Sequence, residues 1–184
     1  MKLPVVWIVL AASLFAAPPA PQFTADNQLI RPDDYREWVF LSAGLGMSYS
    51  AAAPSSGPPA FDNVFVHPDA YRAFLVTGKW PEGTIFALEI RRSASEGSIN
   101  RGGRFQTEVA AVEFEVKDTA RFPQKWAFFP FRAESGNLPK TAKAQPANST
   151  CNACHSTNGA VDNTFVQFYP TLIEVAKQKG TFRH

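Results

Sequence analysis

Cysteine, histidine and methionine are scarce in this chain. Its 184 residues include two cysteines, three histidines and two methionines, one of which is Met1. A zinc site needs four donors, and the chain has no second cysteine pair to supply them. The charges are also nearly balanced, because the chain has 18 Lys and Arg residues and 16 Asp and Glu residues. This balance gives no reason to expect nucleic-acid binding.

Long apolar runs are missing after the N-terminal segment, since charges and prolines interrupt every later stretch. We therefore expect no membrane span in the mature chain. Residues 1–20 are typical of a secretory signal peptide, with basic Lys2, an apolar run over 5–15 and small residues up to Ala20. No cysteine follows it, which excludes a lipoprotein signal. The sequence thus predicts export, with the periplasm of a Gram-negative bacterium as the location and residues 21–184 as one domain.

The two cysteines stand three residues apart and are followed directly by a histidine. Cys151, Cys154 and His155 form the C-x-x-C-H pattern of c-type haem attachment. Two thiols must reach two vinyl groups of one porphyrin, and residues three apart share one face of a helix. His155 is four residues after Cys151, so it lies on that face and can ligate the iron. The sequence predicts one covalently attached haem c.

Three other interpretations of the cysteine pair remain open at this point. A thioredoxin-like redox pair would need a βαβ pattern around it, whereas this pair follows a polar loop near the end of the chain. A structural disulfide between Cys151 and Cys154 suits an oxidising compartment but does not explain His155. Zinc would have to recruit His67 or His184, and the donor set would still be poor.

The remaining pattern predicts an α+β fold. We expect a helix over 31–42, a strand over 61–66, a helix over 69–76 ended by Gly78, and strands over 84–91, 105–117 and 125–132. Helices over the C-x-x-C-H segment and 170–179 complete the order. Runs of consecutive strands favour a mostly antiparallel sheet with flanking helices, not an all-helical bundle.

Several stretches of the sequence resemble the cytochrome P460 family, which includes the β-sheet type of cytochrome c′ (c′-β). The matching stretches are Tyr-Arg-Glu-Trp-Val (35–39), Val-Phe-Val-His-Pro-Asp-Ala-Tyr (64–71), Thr-Gly (77–78), Gly-Thr (83–84), Val-Lys-Asp (116–118), Trp-Ala-Phe (126–128), Cys-Asn-Ala-Cys-His (151–155) and Phe-Tyr-Pro (168–170). The resemblance implies a homodimer with one haem c per chain, five-coordinate iron with His155 as proximal ligand, and an open distal face.

The resemblance leaves two kinds of chemistry, oxidation of hydroxylamine and binding of NO or CO. P460 enzymes oxidise hydroxylamine, together with nitric oxide, and carry a lysine bonded to the porphyrin edge. That position is Leu88 here, followed by Glu89, and a leucine cannot form the bond. This departure moves the chain toward the c′-β type, which binds NO and CO. Lys79, the nearest lysine in sequence, is the alternative residue for such a bond.

A distal carboxylate is the second feature that the resemblance implies. Glu113 matches the proton acceptor of the hydroxylamine-oxidising members, and Glu115 shares its face of the strand. Alternation alone would equally put both on a solvated face. An arginine of the family enzymes corresponds to Asp62, a second departure.

An open iron site also follows from the shortage of axial ligands. An electron-transfer cytochrome needs a second strong ligand, for which the chain offers Met47, His67 and His184. His67 precedes Pro68 at a helix start and His184 is the last residue, so Met47 is the one serious rival. We expect a vacant distal site lined by phenylalanines such as Phe61, Phe65 and Phe86. The function predicted is binding or oxidation of small nitrogen ligands, with a periplasmic electron-transfer protein as redox partner. The alternatives are a His–Met electron carrier and a secreted domain stapled by a disulfide.

Overall fold

A five-stranded antiparallel sheet forms the centre of the protein. The computed structural model describes residues 20–48 and 57–183. The predicted signal peptide, apart from Ala20, and His184 lie outside the described residues. The strands are β1 (Leu29–Ile30), β2 (Val39–Leu45), β3 (Phe61–Val66), β4 (Ile85–Ala94), β5 (Phe105–Lys117), β6 (Trp126–Arg132) and β7 (Thr141–Ala142). The large sheet has the order β2-β3-β4-β5-β6, and β1 pairs separately with β7.

Three α-helices and two 3₁₀ helices complete the described elements. They are α1 (Pro68–Thr77), α2 (Thr150–Asn158), α3 (Ile173–Gln178) and 3₁₀ turns at Tyr35–Glu37 and Val166–Phe168. The α+β fold with an antiparallel sheet is therefore confirmed. Among the described residues, no helix is long and apolar enough to cross a membrane.

Helix α1 has a capping residue at each end, and its end at Gly78 is as the sequence predicted. His67 is its N-cap, and the ring nitrogen Nδ1 accepts a hydrogen bond from the Asp69 amide. Pro68 occupies the first turn, where its missing N–H costs nothing. Gly78 ends the helix in the left-handed conformation at φ 68°, which glycine adopts without steric penalty.

The predicted helix over 31–42 is wrong. Only Tyr35–Glu37 forms a 3₁₀ turn, and β2 begins at Val39. Pro32, Asp33 and Asp34 do open a turn, but Val39, Phe40 and Leu41 are β-branched, aromatic and apolar residues that suit a strand. Pairing of β2 with β3 then supplies the backbone hydrogen bonds, so tertiary pairing overrides the helix-opening signals.

Both faces of the sheet are buried, because residues alternate between two cores. Val112, Phe114 and Val116 of β5 belong to one core, with Tyr35 and Trp38 of the N-terminal segment. Phe86 of β4 belongs to the other core, which α1, α3 and the 160–172 segment complete. Glu113 and Glu115 point to this second side, so it is here that the sheet meets α2.

Candidate haem site

A largely apolar cavity of about 270 Å³ lies where α2 and the segment after it face the second side of the sheet. Both cysteines and His155 line it, together with side chains from β2 to β6. The other lining residues are Ser42, Gly44, Met47, Asp62, Val64, Phe86, Leu88, Glu113, Phe114, Glu115, Phe128, Thr150, Phe165, Phe168 and Tyr169. The structure therefore brings the three motif residues together at one site.

Helix α2 presents the two thiols to this cavity. Ser149 caps the helix by accepting the Asn152 amide at 3.5 Å. Cys151 and Cys154 are free thiols, both half-buried, whereas Ala153 between them is exposed. Burial raises the pKa of the Cys151 thiol. The pair thus faces the cavity as two separate nucleophiles on one side of a helical turn.

The imidazole of His155 is held by a backbone carbonyl. Its Nδ1 lies 2.9 Å from the Asn163 carbonyl oxygen. A carbonyl can only accept a hydrogen bond, so Nδ1 carries the proton and Nε2 carries the lone pair. The rings of Phe128 and Phe165 pack against the imidazole at centroid distances of 4.5 and 4.3 Å. Orientation and tautomer both suit a metal ligand acting through Nε2.

Glu115 is a second acceptor beside the same nitrogen. Its Oε1 lies 3.3 Å from His155 Nδ1, and this buried oxygen has no hydrogen-bond partner of good geometry. Burial raises the pKa of Glu115. For His155, burial acts to lower the pKa, but Glu115 and the Asn163 carbonyl outweigh burial and raise it. Glu115 therefore lies on the Nδ1 side of the histidine.

Two of the three predicted phenylalanines do not line the cavity. Phe86 does, but Phe61 and Phe65 lie on the opposite side of β3, because Asp62 and Val64 occupy the cavity side and side chains alternate. Phe65 instead packs against Tyr35 and Phe40 in ring contacts of 6.0 and 5.7 Å. The expectation that Phe61 and Phe65 line the distal face is corrected by this alternation.

The structure places Leu88, and not Lys79, at the cavity. Leu88 lines the cavity and pairs across the sheet with Val64 and Glu113. Lys79 is exposed at the end of α1, and none of the residues that line this cavity within the described ranges is a lysine. Asp62 also lines the cavity, and burial, followed by the nearby Glu113, raises its pKa.

Of the two other candidate iron ligands in the described residues, Met47 lies at the cavity and His67 does not. Met47 lines the cavity and crowds Gly44, where an added Cβ would lie 2.3 Å from the Met47 sulfur. His67 is engaged in capping α1 and does not line the cavity. The geometry thus leaves Met47 as the alternative to examine.

Sequence reasoning missed the carbonyl that holds His155. A backbone acceptor has no side-chain signature, so only the neighbouring Asp162-Asn163 dipeptide could have indicated it. Both residues adopt positive φ, 45° and 63°, a conformation that Asp and Asn tolerate best among residues other than glycine. Such a dipeptide after a helix could have been interpreted as a tight turn.

The donor set fits a c-type haem: two unpaired thiols on one helical face, an imidazole with its Nε2 available, and an apolar cavity between helix and sheet. An antiparallel sheet with this helical segment defines a class of haem cytochrome distinct from the all-helical one. The family model of cytochrome P460 matches residues 32–166. The chain therefore belongs to the cytochrome P460 family and is a haem c cytochrome of that family. Among curated proteins, no sequence matches this chain.

Proposed function

We propose that Cys151 and Cys154 attach one haem c per chain through thioether bonds and that His155 Nε2 is its axial ligand. One observation carries this proposal: all three side chains line a single apolar cavity while Nδ1 of the histidine is already held by a carbonyl. Bound haem would supply an iron that can coordinate small ligands and exchange one electron. The signal-like residues 1–20 favour attachment in the periplasm.

We further propose that the coordination position opposite His155 is open and binds NO or CO. Val64, Phe86 and Leu88 form an apolar part of the sheet side of the cavity, which suits small uncharged ligands. Leu88 at the cross-linking position favours ligand binding over the P460 type of turnover. A homodimer and a periplasmic electron-transfer partner are further expectations from the family.

Oxidation of hydroxylamine is the second candidate, and the carboxyl groups of the cavity favour it. Glu113 and Asp62 both line the cavity, and a substrate that loses protons needs an acceptor within reach. The raised pKa of Asp62 reflects its burial and its neighbour Glu113. This role predicts that Glu113→Gln abolishes turnover and leaves CO binding intact.

Electron transfer with His–Met ligation is the third candidate, favoured by the position of Met47 at the cavity. Optical spectra of the mature holoprotein, ferric and ferrous, with and without CO, separate this candidate from the two with an open site. Our proposal predicts a high-spin spectrum that shifts on adding CO, unchanged in Met47→Leu. A low-spin spectrum that ignores CO and becomes high-spin in Met47→Leu would contradict it and establish the electron carrier.

A further inference from the structure

We propose that Lys117 and Asp162 are positioning residues that fix the hydrogen-bond partner of the axial histidine. They hold the Asn163 carbonyl, not the Glu115 carboxylate, against His155 Nδ1. This inference rests on the proposed function, since it concerns the imidazole that would ligate the iron. If the turn is released, the reduction potential of the holoprotein should change, and this change can be measured.

The Asn163 carbonyl projects from a tight turn over 161–164. Val161 and Thr164 exchange backbone hydrogen bonds across the turn, at 3.3 and 2.8 Å. Both central residues have positive φ, which is the pattern of a type I′ turn. The buried Thr164 hydroxyl accepts from Trp80 Nε1 at 2.8 Å and donates to the Val161 carbonyl at 2.7 Å. One side of the turn is thus anchored in the core.

Lys117 anchors the other side of this turn. Its Nζ lies 2.6 Å from Asp162 Oδ2 and 2.7 Å from the Trp80 carbonyl oxygen, and its side chain is only 13% exposed. The aromatic ring of Trp126 lies 5.8 Å from the same nitrogen. Because the ammonium is largely buried, removing it leaves Asp162 and the Trp80 carbonyl without this partner, so the turn loses a strong constraint.

Close packing against the end of α2 requires a glycine. A Cβ added at Gly159 would lie 2.5 Å from the Asn163 carbonyl carbon and 2.7 Å from the His155 carbonyl oxygen. Gln167 secures the same connection, since its side chain accepts from the Ala160 amide and donates to the Asn158 carbonyl. The turn therefore reaches His155 only because position 159 has no side chain.

The position of the turn decides between two acceptors of unequal strength. His155 Nδ1 lies 2.9 Å from the neutral Asn163 carbonyl and 3.3 Å from Glu115 Oε1, which has no hydrogen bond of its own. A carboxylate accepts more strongly than a carbonyl and makes the imidazole a stronger donor to a metal. Releasing the turn would let the proton pair with Glu115, which stabilises the ferric state.

The test is a redox titration of the holoprotein and its variants in one buffer at a single pH. Lys117→Met and Asp162→Asn should each favour the ferric state about tenfold, which is about 59 mV for a one-electron couple. Asp162→Asn retains a residue that tolerates positive φ, so its fold is preserved if Lys117→Met fails to fold. The matched control is Lys177→Met, which breaks the exposed pair with Glu174 and should leave the potential unchanged.

A double variant identifies the route of the effect. Adding Glu115→Gln to Asp162→Asn should give the potential of Glu115→Gln alone, because the charged acceptor is absent from both variants. The proposal is overturned if the Asp162→Asn potential equals that of Lys177→Met, or if Asp162→Asn shifts the potential as much in the Glu115→Gln background as in wild type. A wild-type protein without attached haem, or with six-coordinate low-spin iron, would instead refute the proposed function, so the two failures are distinguishable.

Discussion

Glu89 is a buried carboxylate whose removal should strongly destabilise the protein at neutral pH. Its carboxylate is buried, with 3% of the side chain exposed. Oε2 accepts from the Tyr35 hydroxyl at 2.5 Å and from Arg36 Nε at 2.8 Å, and Oε1 accepts from Arg91 Nε at 2.6 Å. The network joins the Tyr35–Glu37 turn to β4, on the side of the sheet away from the cavity.

The size of the effect follows from the pKa of Glu89. Burial acts to raise this pKa, but the hydrogen bonds from Arg91, Tyr35 and Arg36 outweigh burial and lower it from 4.5 to about 2. Because the pKa is lower in the folded state, the ionised carboxylate stabilises the folded protein when the pH is above about 4.5, the pKa of the unfolded chain. The stabilisation is lost as the pH falls from about 4.5 to about 2, and it amounts to roughly 3 kcal/mol.

Urea unfolding of wild type and Glu89→Gln, followed by far-UV circular dichroism, tests this reasoning. At about pH 7 the variant should be less stable by about 3–5 kcal/mol, because both arginines lose their charged partner. At about pH 3 the difference should shrink, since wild type then loses part of the same stabilisation. Glu174→Gln, which breaks only the exposed pair with Lys177, should change stability by less than about 0.5 kcal/mol. Parallel pH dependences for wild type and Glu89→Gln would refute the account.

Three further predictions concern packing and backbone conformation. Gly78→Ala should destabilise by roughly 1–3 kcal/mol in urea unfolding, because the position has φ 68° and the new Cβ would lie 2.6 Å from that of Lys179; Gly102→Ala, which has open space around it, is the control. Phe114→Ala should cost roughly 3–5 kcal/mol, since the ring is fully buried against Tyr35, Trp38 and Phe131, and a thermal midpoint equal to wild type would contradict this. Trp80→Phe should cost roughly 1–3 kcal/mol in urea unfolding, because it leaves the buried Thr164 hydroxyl without its donor.

How far the sequence predicted the structure depended on the kind of signal. The order of strands from β3 to β6 and the end of α1 at Gly78 could be predicted, because alternation and a C-terminal glycine are local signals. The N-terminal helix was wrong because long-range pairing of β2 with β3 decides that segment.

The side of β3 that faces the cavity could not be predicted either. Both sides of the sheet are buried, so the pattern Phe-Asp-Asn-Val-Phe-Val contains no clear polar side. A shift of one residue exchanges the two sides, and the phenylalanines were assigned to the wrong one. The Asn163 carbonyl and the Glu115 oxygen beside His155 depend on where a turn folds back onto α2, which residue types do not encode.

Intact mass of the mature protein under denaturing conditions tests the central claim most directly. The protein should be produced with a c-type haem maturation system and compared with the Cys151→Ser, Cys154→Ser double variant. The account predicts that wild type retains the mass of one haem per chain after unfolding and that the double variant has the mass of the polypeptide alone. A wild-type chain that loses its haem on unfolding, or never acquires one, would contradict covalent attachment at Cys151 and Cys154.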